Sequence, residues 1–397
     1  MSEVAERLEE LRESGLRRRL RLVESPQGPR VLLDGRRVLL LCSNDYLGLA
    51  DRAEVRDAAA QAALRWGAGA GASRLISGNM ELHRRLEGRL AAFKGYEAAL
   101  LFGSGYLANL GSISALAGRD EVTFSDELNH ASIVDGCRLA RAETFVYRHA
   151  DVEHLAWGLR QAGGRAALIV SDGLFSMDGD VAPLEELLRL SREHGCRLMV
   201  DEAHATGALG PGGRGSVAGA ELSGEVDLIV GTLGKALGSY GAYVCASAEL
   251  CEYLLNTARS FIFSTALPPP VLAAASAALE LLEAEPEMVR RLRANAATLR
   301  EGLAAEGLTA GGGQSQIVPL EVGKADRTME LCERLLERGV FAQGIRPPTV
   351  PKNSSRLRFS VMATHEERDL CEAAGAVGEA ARELGVAGER VPATIAA

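Results

Sequence analysis

The sequence contains no apolar run of the roughly 18–20 residues that a membrane-spanning helix needs. Its first residues, MSEVAERLEELRESG, are charged and have no apolar core of a signal peptide. The seven cysteines are odd in number and show neither a Cys-x-x-Cys pair nor the spacing of metal ligands. We therefore expect no membrane partner, no metal site, and free thiols in a reducing cytoplasm.

An excess of basic residues is also lacking, since 53 acidic side chains outnumber 44 basic ones and give a formal net charge of −9. This charge disfavours a nucleic-acid partner. The tetrad Asp201-Glu202-Ala203-His204 spells a helicase signature, but a helicase also needs the phosphate loop G-x-x-x-x-G-K-[ST]. That loop is absent around Gly234-Lys235, because Ala236 follows the lysine and Ile229 stands at the earlier glycine position.

The length of 397 residues allows one large domain and a smaller one. Short apolar runs alternate with helical patterns through the middle of the chain, which predicts an α/β fold with a mainly parallel sheet covered by helices. A small α+β domain is expected to follow it. The expected organisation is a helix and hairpin arm over residues 1–50, the large domain over 51–285, the small domain over 286–385 and a loosely ordered tail over 386–397.

Three local elements can be predicted more closely. Residues 3–24 have the pattern of one amphipathic helix, and residues 271–306 that of one long helix. Residues 30–41 form two Val/Leu runs around Asp34-Gly35, a strong signal for a β-hairpin.

Two apolar runs, Cys196–Val200 and Val226–Val230, suit neighbouring buried strands of a parallel sheet. Active groups of open α/β sheets gather at the carboxyl ends of such strands. The polar side chains expected at these ends are Asp201, His204, Thr232 and Lys235.

A lysine amine can hold an aldehyde cofactor as a Schiff base. A carboxylate that faces a pyridine nitrogen keeps this nitrogen protonated, so that the ring withdraws electrons. Lys235 and Asp201 therefore indicate pyridoxal 5'-phosphate. The spacing Asp-x-x-His … Thr-x-x-Lys resembles the α-oxoamine synthases, which are fold-type I pyridoxal-phosphate enzymes, and implies the transferase fold of that class.

A strand, a glycine turn and a helix follow one another at residues 98–116, an arrangement that binds anions through helix N-terminal amides. The dinucleotide pattern G-x-G-x-x-G of a nicotinamide dehydrogenase is broken, since Ala108 occupies its last place. With Lys235 downstream, we interpret this turn as the site of the cofactor phosphate. Its binding residues would be Ser104, Gly105 and Tyr106.

The resemblance implies roles for residues in three other motifs. His130, in Leu-Asn-His-Ala-Ser, would stack on the cofactor ring, and Ser176 together with His204 would bind its phenolic oxygen. Asn44, in the signature N-D-Y-L-G-L, would contact the substrate amino acid. A structural hydrogen bond at His130 and an Asx turn at Asn44 are the alternatives. The chain departs from the family at Asp172, where glutamate is common.

Ser264 and Thr265 precede a run of prolines. In the family such a pair reaches the phosphate of the neighbouring subunit, which implies a homodimer with shared sites. Without the resemblance, the pair would indicate only the start of a helix.

Candidate substrate ligands are arginines at both ends of the chain. Arg358 alternates with apolar residues on an expected strand, and its guanidinium fork suits an α-carboxylate. Arg346 and Thr349 lie on a proline-stiffened loop, Ile345–Pro351, and provide a second candidate pair. The run that contains Arg17 resembles the N-terminal arm with which the family binds its acyl substrate. The alternative is that Arg17–Arg19 form only a solvent-exposed face of a helix.

The resemblance implies a decarboxylative condensation of an amino acid with an acyl thioester. The loop Ile345–Pro351 is similar to that of the subgroup that condenses L-alanine with a pimeloyl thioester in biotin synthesis. Sister enzymes, glycine C-acetyltransferase and 5-aminolevulinate synthase, use glycine and are the alternatives, as is a non-catalytic regulatory protein that binds pyridoxal phosphate. The sequence leaves open whether the thioester is carried by coenzyme A or by an acyl-carrier protein.

Overall fold

The computed structural model describes residues 2–14 and 16–386. The described chain divides into two compact units. The small unit comprises the described parts of ranges 1–43, 177–179 and 290–397, and the large unit comprises 44–176 and 180–289. The tail expected over residues 386–397 lies, apart from Val386, outside the described residues.

The strands are β1 Arg30–Leu33, β2 Arg36–Leu40, β3 Ala98–Phe102, β4 Val122–Asp126, β5 Glu143–Tyr147, β6 Ala166–Asp172, β7 Arg197–Asp201, β8 Leu228–Thr232, β9 Ala242–Ala246, β10 Ile317–Gly323, β11 Val340–Phe341, β12 Gln343–Ile345 and β13 Ser355–Ser360. The helices are α1 Glu3–Glu13, α2 Ala53–Trp66, α3 Glu81–Lys94, α4 Gly105–Leu116, α5 Ala131–Ala140, α6 Val152–Gln161, α7 Leu184–Glu193, α8 Ser216–Gly219, α9 Ala248–Thr257, α10 Arg259–Ile262, α11 Pro269–Ala284, α12 Glu287–Ala305, α13 Ala325–Glu337 and α14 Glu367–Glu383, with a 3₁₀ turn at Pro211–Gly213.

The large unit is built on a sheet in the order β3-β9-β8-β7-β6-β4-β5. Strands β5, β4, β6, β7 and β8 pair in parallel, and β9 pairs antiparallel with both β8 and β3. The carboxyl ends of β3, β4, β6, β7 and β8 therefore lie at one edge of the sheet. This is the mainly parallel α/β sheet that the alternating pattern predicts.

One face of this sheet packs against α4 and α5 through a continuous apolar core. Val170, Met199 and Val230 are completely buried side chains of its central strands. Ala108 and Ile113 of α4 belong to the same cluster and are equally buried. This packing holds the N-terminal end of α4 at the edge where the parallel strands end.

The small unit contains two three-stranded sheets, β1-β2-β11 and β10-β13-β12. Strands β1 and β2 form the expected hairpin, and Asp34 and Gly35 at its tip have φ angles of 46° and 75°. Positive φ at both central residues is what a type I′ turn requires.

Two helices are shorter than their patterns predict. The N-terminal helix ends at Glu13 and not near residue 24, because Ser14 closes it and Gly15, a poor helix former, follows. The expected long helix over 271–306 is two helices, α11 and α12. Pro286 causes the break, since proline disfavours the helical conformation of the preceding residue, and Glu285 has φ −120° and ψ 63°.

In the described part of the chain, no helix is both long and apolar enough to cross a membrane.

Candidate active site

Four polar residues end neighbouring strands at the carboxyl edge of the large unit's sheet. They are Asp126 of β4, Asp172 of β6, Asp201 of β7 and Thr232 of β8. Asp172 and Asp201 stand opposite each other in the register of β6 and β7. The sheet therefore brings two carboxyl groups side by side at the point where the sequence predicts a cofactor.

Asp201 is only 4% exposed and its two carboxylate oxygens have different donors. Its Oδ2 accepts a hydrogen bond of 2.7 Å from Nδ2 of Asn109, and its Oδ1 accepts one of 2.8 Å from the amide of Ala203. Burial, and then the neighbouring Asp201 carboxylate, raise the pKa of Asp172. Asp172 therefore favours its protonated form more than an exposed carboxyl group does.

His130 is the N-cap of α5. Its backbone amide donates to Oδ2 of Asp172 at 2.8 Å, and its Nδ1 lies 2.7 Å from the hydroxyl of Ser132. Burial lowers the pKa of His130, against the opposing effect of the Asp201 carboxylate. The imidazole is therefore neutral near pH 7, which suits a side chain that stacks on a cofactor ring.

Lys235 follows β8, and its Nζ lies 2.8 Å from Nε2 of His204. The other ring nitrogen of His204, Nδ1, lies 2.6 Å from the hydroxyl of Tyr46. Tyr46 is completely buried and also donates to Oδ1 of Asn44 at 3.2 Å. A chain of hydrogen bonds thus runs from Asn44 through the imidazole to the lysine amine.

The turn that carries His204 is held by a buried ion pair. Glu202 is completely buried and pairs with Lys94, the last residue of α3. Glu202 Oε1 also accepts from the hydroxyl of Ser216 and the amide of Val217, both at 2.8 Å. Each oxygen of this buried carboxylate has a partner, as a buried charge requires.

The phosphate residues predicted from sequence lie at the start of α4. Ser104 is its N-cap and accepts a hydrogen bond from the amide of Leu107 at 3.2 Å. Gly105 opens the helix, and a Cβ built at this position would meet no atom within 4 Å. The hydroxyl of Tyr106 donates to Asp135, so that its backbone amide, and not its side chain, is the group suited to an anion.

The other predicted residues of the large unit lie at a strand end or on loops. The hydroxyl of Thr232 donates to the carbonyl of Gly241 at 3.0 Å. Ser176 follows a short antiparallel bridge between Leu174 and Val181. Thr265 forms a bridge with Ser73 of the glycine-rich segment, and Ser264 precedes it.

Four predicted substrate residues belong to the small unit. Arg17, Arg346 and Thr349 line one cavity of about 740 Å³ there, and Nη2 of Arg346 donates to the carbonyl of Arg17 at 2.9 Å. Arg358 does not line this cavity. It is 7% exposed on β13, and its Nη1 donates to the hydroxyl of Ser360 at 2.8 Å.

Sequence reasoning missed Tyr46 and Asn109 as members of the site. Tyr46 stands inside the N-D-Y-L-G-L signature, from which only Asn44 was singled out. Asn109 lies four residues after Gly105 in α4, and this spacing places both residues on the same face of the helix.

The donor set fits pyridoxal phosphate. Lys235 supplies an amine, Asp201 a buried carboxyl group, and His130 a neutral ring. The first amides of α4 have no partner inside the helix and can receive a phosphate. All of these groups lie at the same edge of one sheet, as a single bound cofactor would need.

Comparison with known proteins identifies the family. The aminotransferase class I and II family matches residues 36–377. An 8-amino-7-oxononanoate synthase of Citrifermentans bemidjiense is 55% identical over 97% of this chain and 100% of its own length. An 8-amino-7-oxononanoate synthase of Geobacter sulfurreducens is 56% identical over 96% of this chain and 99% of its own length. A structure of serine palmitoyltransferase from S. paucimobilis with bound PLP has a TM-score of 0.92 at 33% identity and covers 97% of this chain and 98% of its own.

These findings confirm the fold class, the cofactor and the resemblance that the sequence motifs indicate. The chain belongs to the 8-amino-7-oxononanoate synthases, within the aminotransferase class I and II family.

Proposed function

We propose that the edge of the large unit's sheet around Lys235 carries out the reaction of this family. The chain is a pyridoxal-phosphate-dependent acyltransferase that condenses L-alanine with a pimeloyl thioester. The products are 8-amino-7-oxononanoate, carbon dioxide and the free thiol, a step of biotin synthesis. The observation that carries the assignment of the site is the 2.8 Å contact between Lys235 and His204 beside the buried Asp201.

Pyridoxal phosphate, when bound, supplies an aldehyde that an amine can attach to and a protonated ring that withdraws electrons from the reacting carbon. Lys235 would hold this aldehyde in the resting enzyme. Its freed Nζ would then remove the proton from the α-carbon of alanine as a general base. His204, held by Tyr46, orients the amine.

Asp201 would hold the proton on the ring nitrogen. Its carboxylate is suited to this because Asn109 orients it and burial strengthens a charge pairing. His130 would stack on the ring, Ser176 and His204 would bind its phenolic oxygen, and Thr232 would be a further residue that holds the cofactor. The helix start at Ser104–Tyr106 receives the phosphate.

The substrates need groups that recognise carboxylates and the acyl chain. We assign the α-carboxylate of alanine to Arg358 and the acyl thioester to Arg17, Arg346 and Thr349, with Asn44 as a contact of the amino acid. The assignment of the acyl thioester is supported by the cavity of about 740 Å³ that Arg17, Arg346 and Thr349 line together. After proton removal, the α-carbon would attack the thioester carbonyl and expel the thiolate, which takes up a proton to give the free thiol. The resulting β-keto acid would lose carbon dioxide, and a proton would take its place on the α-carbon.

We further propose a homodimer, located in the cytoplasm, in which Ser264 and Thr265 reach the phosphate of the neighbouring subunit. Two large apolar side chains near this segment are exposed in the single chain, Ile76 by 81% and Phe263 by 71%. Exposed apolar side chains of this size support a surface that a second subunit covers. Free cysteines in the described residues agree with a reducing compartment.

Product analysis by mass spectrometry tests the substrates. The enzyme is offered L-alanine with pimeloyl thioester, carried on coenzyme A or on acyl-carrier protein, and glycine with acetyl-CoA or succinyl-CoA. We expect 8-amino-7-oxononanoate as the dominant product and no product from the matched variant Lys235→Ala.

Other products would lead to different conclusions. A dominant aminoketone from glycine would indicate a sister activity and refute the interpretation of the Arg346 loop. A protein that binds the cofactor but condenses none of these pairs would be a non-catalytic binding protein.

A further inference from the structure

His149 lies between two carboxylates at the same edge of the sheet. Its Nδ1 is 3.0 Å from Oδ1 of Asp126, the last residue of β4, and its Nε2 is 2.8 Å from Oδ2 of Asp180. Asp126 is only 2% exposed and also accepts hydrogen bonds from the amides of Leu128 and Ala150, at 2.9 and 2.8 Å. This carboxylate is therefore a fixed anchor for the imidazole.

Both nitrogens of His149 face an acceptor, so both must carry a proton. The ring is then a cation between two anions. Hydrogen bonds to Asp126 and Asp180 raise the pKa of His149 to about 10. The imidazolium is therefore the form present throughout the neutral range.

The charged groups that face His149 come from two elements. Asp126 ends β4, and Glu127 after it accepts a hydrogen bond of 2.9 Å from the backbone amide of His149. Asp180 comes from the opposite side, on the returning arm of the turn that contains Ser176.

Asp180 in turn holds the arm that leads to Ser176. Its carbonyl accepts a hydrogen bond of 2.9 Å from the amide of Phe175, and Leu174 forms a bridge with Val181. The ring of Phe175 lies perpendicular to the ring of His149, with 4.5 Å between their centres. His149 thus contacts the arm twice, through the carboxylate of Asp180 and through the Phe175 ring.

We propose that His149 is a positioning residue of the cofactor site: as an imidazolium between Asp126 and Asp180, it fixes the arm that presents Ser176. This inference rests on the proposed role of Ser176 at the phenolic oxygen. A neutral side chain at position 149 would leave the buried Asp126 carboxylate without its cation and the arm without its anchor.

Hydrogen exchange of the full-length enzyme with its cofactor tests the anchor. In His149→Gln we expect the amide of Phe175 to exchange at least tenfold faster, while the amide of Val200 in β7 is unchanged. Asp180→Asn, which removes the same ion pair from the other side, should reproduce the effect if His149→Gln fails to fold. His194→Gln, at the C-cap of α7, is the matched control and should change neither amide.

The absorption of the bound cofactor gives a second measurement that a purely structural role would not affect. A hydroxyl that donates to the phenolic oxygen stabilises its anion, so its loss should raise the pH midpoint of the absorption change. We expect an upward shift in Ser176→Ala and a shift in the same direction in His149→Gln and Asp180→Asn. The His194→Gln control should keep the wild-type midpoint.

Several results would overturn the inference. Unchanged exchange at Phe175 in both folded variants would show that the ion pairs do not hold the arm. A midpoint that shifts in Ser176→Ala but not in His149→Gln would show that the arm presents Ser176 without His149. A midpoint unchanged in Ser176→Ala would refute the role of Ser176 and with it the positioning role, whereas failure of the proposed reaction would be seen separately, in the product analysis.

Discussion

The side-chain amine of Lys235 lies 2.8 Å from Nε2 of His204, although 31 residues separate them along the chain. Lys235 follows β8 and His204 follows β7, and the parallel pairing of these strands brings the two exits together. The hydroxyl of Tyr46 holds the other side of the imidazole at 2.6 Å. The geometry of the proposed base therefore depends on a tyrosine that is distant in sequence.

Tyr46→Phe should lower kcat by about 2–10-fold, since a single hydrogen bond contributes about 0.5–1.5 kcal/mol. The imidazole of His204 would lose the bond that orients it toward Lys235. Steady-state kinetics checks the effect, with Tyr253→Phe as the control, because the hydroxyl of Tyr253 donates to the carbonyl of Ala115. An unchanged kcat in Tyr46→Phe would show that His204 is oriented without the tyrosine.

Asp201→Asn should keep cofactor binding but lower kcat by about 100-fold or more, because a neutral amide cannot hold the ring nitrogen protonated. Absorbance measures the cofactor content, and the condensation assay measures turnover. Asp227→Asn is a matched control at the opposite end of the strands, where Asp227 accepts from the amide of Leu198 at 2.8 Å. Full turnover in Asp201→Asn would remove the proposed role of this carboxylate.

Mixed dimers test the shared site. Lys235→Ala and Thr265→Ala subunits should each be inactive alone. Each verified mixed dimer should regain about half of the wild-type activity, because one of its two sites then has both Lys235 and the neighbouring Thr265 intact. Native mass spectrometry establishes that mixed dimers have formed. Mixed dimers without activity would contradict the contribution of Thr265 to the neighbouring site.

The stability of the protein should fall as the solution is acidified from about pH 6.5 toward pH 4. Burial lowers the pKa of His365 to about 4, and its Nδ1 accepts from the amide of Met362 at 2.9 Å. A histidine with a lowered pKa binds fewer protons in the folded than in the unfolded state, so acid favours unfolding. The expected loss at pH 5 is on the order of 1–2 kcal/mol for this side chain.

Urea unfolding at pH 7 and pH 5 measures this loss. The difference between the two pH values should be smaller in His365→Gln than in the wild-type protein, and His194→Gln should leave it unchanged. An equal pH dependence in wild type and His365→Gln would show that other groups cause the acid sensitivity.

The sequence predicted the part of the site that lies directly after buried strands. Asp201 and Lys235 each follow an apolar run, and the exits of parallel strands meet at one edge. Tyr46 and Asn109 were missed because they approach Asp201 and His204 from segments 92 to 158 residues away. Pairings over such distances depend on tertiary packing, which local patterns do not contain.

Helix ends show the same limit on a smaller scale. The helical spacing of apolar residues continues through Pro286 and past Ser14, although the helices end there. Each break depends on a single residue, and a pattern of apolar positions does not take that residue into account. The carboxylates on either side of His149 come from segments separated by more than fifty residues, so sequence alone gave no signal for that arrangement.

Borohydride reduction of the purified enzyme, followed by peptide mass mapping, tests the central claim most directly. Reduction makes the link between the cofactor and its lysine permanent. The account predicts a single modified peptide that contains Lys235, and no modified peptide in Lys235→Ala. An adduct on another lysine, or one that persists in Lys235→Ala, would contradict the site proposed at the edge of the large unit's sheet.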